Sequence, residues 1–161
     1  MEGALRTMRI KSGPWTVPEE LEEKTDIFEF IKDHKPDHQR LLDEFISLTG
    51  YIWVGLCRLG NPEILGAGGT GAPEMLPAVA FKVVGALRHF APIPETLYLK
   101  WANQAIFAAI FHLCGEKDQL IVLVGSSSQA DYHRENVEDL LDAMENIYLE
   151  KKEMRLKNEK R

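Results

Sequence analysis

The stretch that most constrains this chain is PEMLPAVAFKVVGALRHF, Pro73 to Phe90. Its apolar residues recur at helical spacing, and Pro92 and Pro94 close it. With residues placed about 100° apart, Met75, Leu76, Val79, Ala80, Val83, Val84, Ala86, Leu87 and Phe90 fill one broad arc. That arc is wide enough to cover a sheet. Ala78, Phe81 and Gly85 make a second apolar patch opposite, flanked by Lys82, Arg88 and His89. A helix that is apolar nearly all round is buried on both sides. A chain of 161 residues suffices for one domain, with no third layer to cover the second patch. A partner chain would supply that layer, and Ala78 and Gly85 are small enough for two helices to approach closely. The other way to cover the patch is for an N-terminal helix to fold back over it.

The segment just before, EILGAGGTGAPEML, contains Gly66, Gly68 and Gly71 in the G-x-G-x-x-G spacing of dinucleotide loops. Such a site also needs a parallel βαβ unit, and an acid about 20 residues on for the ribose hydroxyl. Here the preceding strand returns from a hairpin. The region where the acid belongs reads His89-Phe90-Ala91-Pro92-Ile93, and no P-loop lysine follows the glycines. Gly66, Gly68, Gly69 and Gly71 are therefore read as a hinge between strand and helix.

Residues 1–17 show no periodicity and read as a loose arm. Pro18, Glu19 and Glu20 look like a helix start; Leu21, Ile27, Phe28 and Ile31 give that helix one apolar stripe, and Lys35-Pro36 ends it. Asp37 caps a second helix from His38 to Leu48, which Gly50 stops. Tyr51 to Leu59 reads as a strand with Ile52, Val54 and Leu56 on one face. Gly60-Asn61-Pro62 turns it into a short return strand, Glu63 to Gly66. Thr96 to Trp101 alternates as a strand should. Gln104 to Cys114 fits a strand or a helix by spacing alone. After the turn Gly115 to Asp118, Leu120 to Val124 is apolar on both faces and belongs in the centre of a sheet. Ser128, with Asp131 three residues on, resembles a capping box opening the last helix, whose stripe is Val137, Leu140, Leu141, Met144 and Ile147. Glu150 to Arg161 is nearly all charge and is expected to fray or stay solvated.

A net charge of -6 argues against a general nucleic-acid binder. The longest uncharged run, Trp101 to Gly115, is too short and too polar for a membrane span, and no signal-peptide pattern opens the chain, so a cytoplasmic protein is expected. Cys57 and Cys114 sit in apolar runs as small buried hydrophobes. His34 and His38 are spaced H-x-x-x-H, but Pro36 lies between them and no third ligand is evident, so both are read as solvent-exposed rather than metal-binding. Ser126, Ser127, Ser128, Asp131 and His133 are triad residue types in sequence only; helix capping explains Ser128. His112 reads as a partly buried polar residue, and Trp53 and Trp101 as packing residues.

The order helix–strand–strand–helix–strand–strand–strand–helix over residues 37–150 resembles the Roadblock/LC7 family. The resemblance rests on the hairpin YIWVGLCRLGNPEILGAGG, the apolar helix, TLYLKWANQAIFAAIFHLCGEKDQLIVLVG as a three-strand meander, and the terminal helix. It implies a profilin-like α/β (α+β) fold: αββαβββα, with a five-stranded antiparallel sheet between helices, plus an extra N-terminal helix. It also implies a strand at Gln104 to Cys114. The chain then divides into an N-terminal arm and extra helix (1–36), a Roadblock/LC7-like domain (37–150) and a charged tail (151–161). The resemblance further implies a homodimer, or a heterodimer with a related subunit, in which the apolar helix packs on its twin and the third strands pair edge to edge. The expected interface is Ala78, Phe81, Lys82, Gly85, Arg88, His89, Tyr98 and Lys100. Family members are generally non-enzymatic scaffolds or regulators of small Ras-like GTPases, or dynein light chains. The resemblance supplies no catalytic residue, cofactor or metal. Two other functions remain open to the sequence: a small-ligand sensor of the PAS or GAF kind, and a nucleotide-binding enzyme using the Gly66–Gly71 loop with a parallel sheet and a helix at Gln104 to Cys114.

Overall fold

A computed structural model describes residues 27–60, 63–101, 103–113 and 118–159. The proposed arm, the start of the first helix, the tips of three turns, Cys114 and the last two residues lie outside the described residues. The elements are α1 (Ile27–Asp33), α2 (Lys35–Thr49), β1 (Trp53–Arg58), β2 (Ile64–Gly69), α3 (Ala72–Leu87), β3 (Thr96–Trp101), β4 (Gln104–His112), β5 (Gln119–Ser126) and α4 (Arg134–Glu159). The strands form one sheet in the order β2-β1-β5-β4-β3, and every pairing is antiparallel. Gln104 to His112 is a strand. The parallel architecture that a dinucleotide loop needs is absent from this sheet.

Helices cover both faces of the sheet, because its central strands are apolar on both. In β5, Leu120, Val122 and Val124 join the core under α1, α2 and α4, while Ile121 and Leu123 join the core under α3. A strand buried on both sides reads as a continuous apolar run, as β5 does.

Several local expectations shift. Pro36 does not end the first helix. One residue, His34, separates α1 from α2, and Pro36 sits in the first turn of α2, where its missing N–H costs nothing. His34 and His38 are not solvent-exposed: His34 is half-buried, and His38 is 2% exposed. Their Nδ1 atoms lie 3.1 Å from the Phe30 carbonyl and 2.9 Å from the His34 carbonyl. Ser128 does not open α4. It precedes a 3-10 turn, Gln129–Asp131, and its hydroxyl donates to Asp131 Oδ2. The helix begins six residues later, where the Tyr51 hydroxyl accepts from the His133 backbone N–H and from Asn136 Nδ2. The charged C-terminal stretch stays helical to Glu159, with mostly exposed side chains beyond Tyr148. Ile52 packs on the α3 side, opposite Val54 and Leu56, because the strand begins only at Trp53. Phe90 falls beyond the end of α3 and is half exposed. His112 is exposed at the end of β4.

Strand β2 runs three residues further than its hydrophobicity suggested, so Gly66 and Gly68 lie inside it rather than in a connection. They face α2. A Cβ on Gly68 would sit 3.2 Å from Leu42 Cβ and 3.3 Å from the Leu42 carbonyl carbon. Only Gly69 (φ 90°) and Gly71 (φ 77°) make the turn into α3, in a backbone region that side chains other than glycine rarely adopt.

Candidate interaction surface

The outer face of α3 leaves apolar surface exposed among the described residues, as do Leu48 on α2 and Met154 on α4. The inner face of α3 is fully buried through Leu76, Val79, Ala80, Val83, Val84 and Leu87, and Leu76 packs where Gly55 of β1 has no side chain. Its outer face presents Pro77, Ala78, Phe81, Lys82 and Gly85 to solvent, with Phe81 71% exposed. No described element folds back over it. The helix α1 lies against the opposite face of the sheet, with Ile27, Phe28 and Ile31 in that core.

Gly85 sharpens the point. Its φ is unremarkable, and a Cβ there would meet nothing within 4 Å. A glycine inside a helix costs about 1 kcal/mol relative to alanine. Nothing in the described chain requires it.

At the end of the strand order away from β2, β3 forms one edge of the sheet. Leu97 and Leu99 pack partly against the α3-side core, while Thr96, Tyr98 and Lys100 point to the other face and are exposed. The Tyr98 ring lies 5.1 Å from Phe107, which stacks on Tyr132 at 3.9 Å. The eight expected interface residues thus fall in two groups. Ala78, Phe81, Lys82, Gly85, Arg88 and His89 belong to α3 and its end, and Tyr98 and Lys100 to the far side of the β3 edge. Arg88 also serves its own chain: its Nη2 donates to the Gly60 carbonyl at 3.0 Å. That turn is fixed in addition by Asp118, which accepts from Gly60 N and pairs with Arg58 at 3.2 Å.

Sequence reasoning missed Leu97 and Leu99 as the α3-side lip of the edge, and Arg134 as its anchor. Arg134 Nη1 donates to the Glu95 carbonyl and to Thr96 Oγ1, and its guanidinium lies over Phe111. The alternation of TLYLKW carried the first signal. Nothing local carried the second, since Arg134 reaches β3 across 38 residues.

Burial pushes the Cys57 thiol up to about 12, far from a reactive thiolate. Ser127 and Ser128 hydroxyls both donate to Asp131. Among the described residues no group of three or more His, Cys, Asp and Glu is placed to hold a metal ion, and no helix is long and apolar enough to cross a membrane.

No protein-family model matches the sequence, and no curated protein matches it. The structure does have relatives. MglB of Myxococcus xanthus superposes with a TM-score of 0.54 at 11% identity, over 73% of this chain and 91% of that one. A second structure, MglB with a tetrameric arrangement, gives 0.53 at 13% identity, over 71% and 90%. The fold is the profilin-like fold of Roadblock/LC7 proteins. At this identity the likeness concerns the fold.

Proposed function

We propose that this chain is a dimeric, non-enzymatic interaction module that scaffolds or regulates a small Ras-like GTPase. The observation that carries the reading is the outer face of α3, where Phe81 stands exposed beside a helical glycine that its own chain does not explain. Apolar patches of this kind on otherwise polar surfaces mark protein interfaces. The Roadblock/LC7 fold supports the same reading, since that family works as scaffolds and GTPase regulators. The tetrameric arrangement of one MglB structure supports self-association in this fold. The partner is a second copy or a related subunit, and the nucleotide belongs to the GTPase.

Because Phe81 and Gly85 lie outside the core, Phe81→Glu and Gly85→Glu should leave the fold intact by circular dichroism while light scattering gives the monomer mass. Dimers from both variants would remove α3 from the interface. The GTPase half is tested by affinity capture from the native extract, followed by single-turnover GTP hydrolysis on any recovered Ras-like protein. Recovery of a Ras-like GTPase by wild type supports the reading, whereas its absence while the dimer is intact argues against it.

A further inference from the structure

The helix α4 has two flanks, and a described helix lies along only one of them. On the α2 side, Asn136 donates to the Tyr51 hydroxyl at 2.9 Å and Lys151 pairs with Asp37 at 3.8 Å. On the other side Arg134 reaches toward β3. At about 100° per residue, Glu138, Asp142, Glu145 and Lys152 line up on the Arg134 side. Glu138 pairs back with Arg134 at 3.8 Å. This line is not open to water as an outer helix face would be. Glu145 is 5% exposed in mid-helix, and Lys152 is half-buried although the residues on either side of it are exposed. A carboxylate buried so deeply requires positive or hydrogen-bonding company. The helix dipole favours acids early and bases late in a helix, but it does not bury Glu145.

We infer that residues 6–26 of the same chain run along this flank, parallel to α4. Glu19 to Glu23 then lie beside Lys152 and Arg155, and Arg6 to Lys11 beside Glu138, Asp142 and Glu145. The place of attachment and the order of charge agree. The helix α1 starts at Ile27, and its Phe30 ring meets Tyr148 edge-on at 4.9 Å. The preceding chain therefore joins the fold beside the C-terminal half of α4. Read back from Ile27, the sequence is acidic first (Asp26, Glu23, Glu22, Glu20 and Glu19, with Lys24 among them) and then basic (Lys11, Arg9 and Arg6). Read back from its C-terminal half, α4 is basic first (Arg155 and Lys152) and then acidic on this flank (Glu145, Asp142 and Glu138). The two series are opposite in sign and follow the same order. Lys152 and Asp142 stand about 15 Å apart along the helix, a distance that the residues from Glu22 back to Lys11 span whether helical or extended. The reverse direction would set Arg6 to Lys11 against Lys152 and Arg155, like charge on like. Any partner that used this flank would first have to displace the arm.

Zero-length carbodiimide cross-linking of the full chain, read by peptide mass spectrometry, tests this placement. The ion pairs Lys32–Glu63 and Lys151–Asp37 are built-in controls. Lys152 should be joined to an acid between Glu19 and Glu23, and Lys11 to Glu138, Asp142 or Glu145. Asp142→Lys should lower the yield of the Lys11 links severalfold while Lys32–Glu63 stays unchanged, which reports an intact fold. Control links without either arm link, Lys11 joined only to acids off this flank, or an unchanged Lys11 yield in the variant each overturn the placement. Mixing isotope-labelled and unlabelled chains before the reaction identifies whose arm is bound. Arm links within one label support the same chain as occupant, whereas arm links that join the two labels overturn it in favour of a second copy.

Discussion

His38 shows how a residue's surroundings override its letter. Burial lowers its pKa, and the hydrogen bond to the His34 carbonyl only partly opposes this. The unfolded chain takes up the proton near pH 6.5 while the fold resists it. The stability held by neutral His38 is therefore complete above about pH 6.5 and lost as pH falls below it. The melting temperature of wild type should fall from pH 7 to pH 5.5 by more than that of His38→Gln; parallel curves would remove His38 as the cause. Gly125 makes the converse case. A Cβ there would collide with the indole of Trp53, which is fully buried and donates from Nε1 to Gln104 at 2.9 Å. Gly125→Ala must displace that ring, at a cost of about 1–3 kcal/mol, read as a lower denaturant midpoint with unchanged slope.

Among the elements, strands and the apolar helix were legible and their ends were not. The two-faced pattern of α3 survives in the structure because it follows from spacing alone. The start of α4 does not, because Tyr51, 82 residues away, supplies the cap that the local Ser128 was expected to supply. Gly66 and Gly68 looked like a loop because glycine has low strand propensity; close packing by Leu42 is what places them in β2. The anchoring of β3 is equally non-local. Arg134→Ala removes two hydrogen bonds and the contact over Phe111, so amide exchange at Leu97 and Leu99, which pair with β4, should speed up while β5 stays protected. Equal acceleration in both strands would mean that Arg134 supports the whole sheet and not the edge.

For the whole molecule, the dimer proposed above would link self-association to folding. Its melting midpoint should then rise with protein concentration in wild type and stay constant in Phe81→Glu. A concentration-independent wild type would mean that the α3 surface serves another partner. The layering is already written in the residue pattern: central strands apolar on both sides demand helices on both faces, and a helix apolar on both sides demands cover. These are consequences of periodicity, which each segment carries within itself. Tertiary contacts, by contrast, set α1 on the face opposite α3 and make two of the four glycines serve packing rather than turning. Each of those depends on which strand lies beside which. Contacts between distant segments fix that order, and no local pattern in the sequence encodes it.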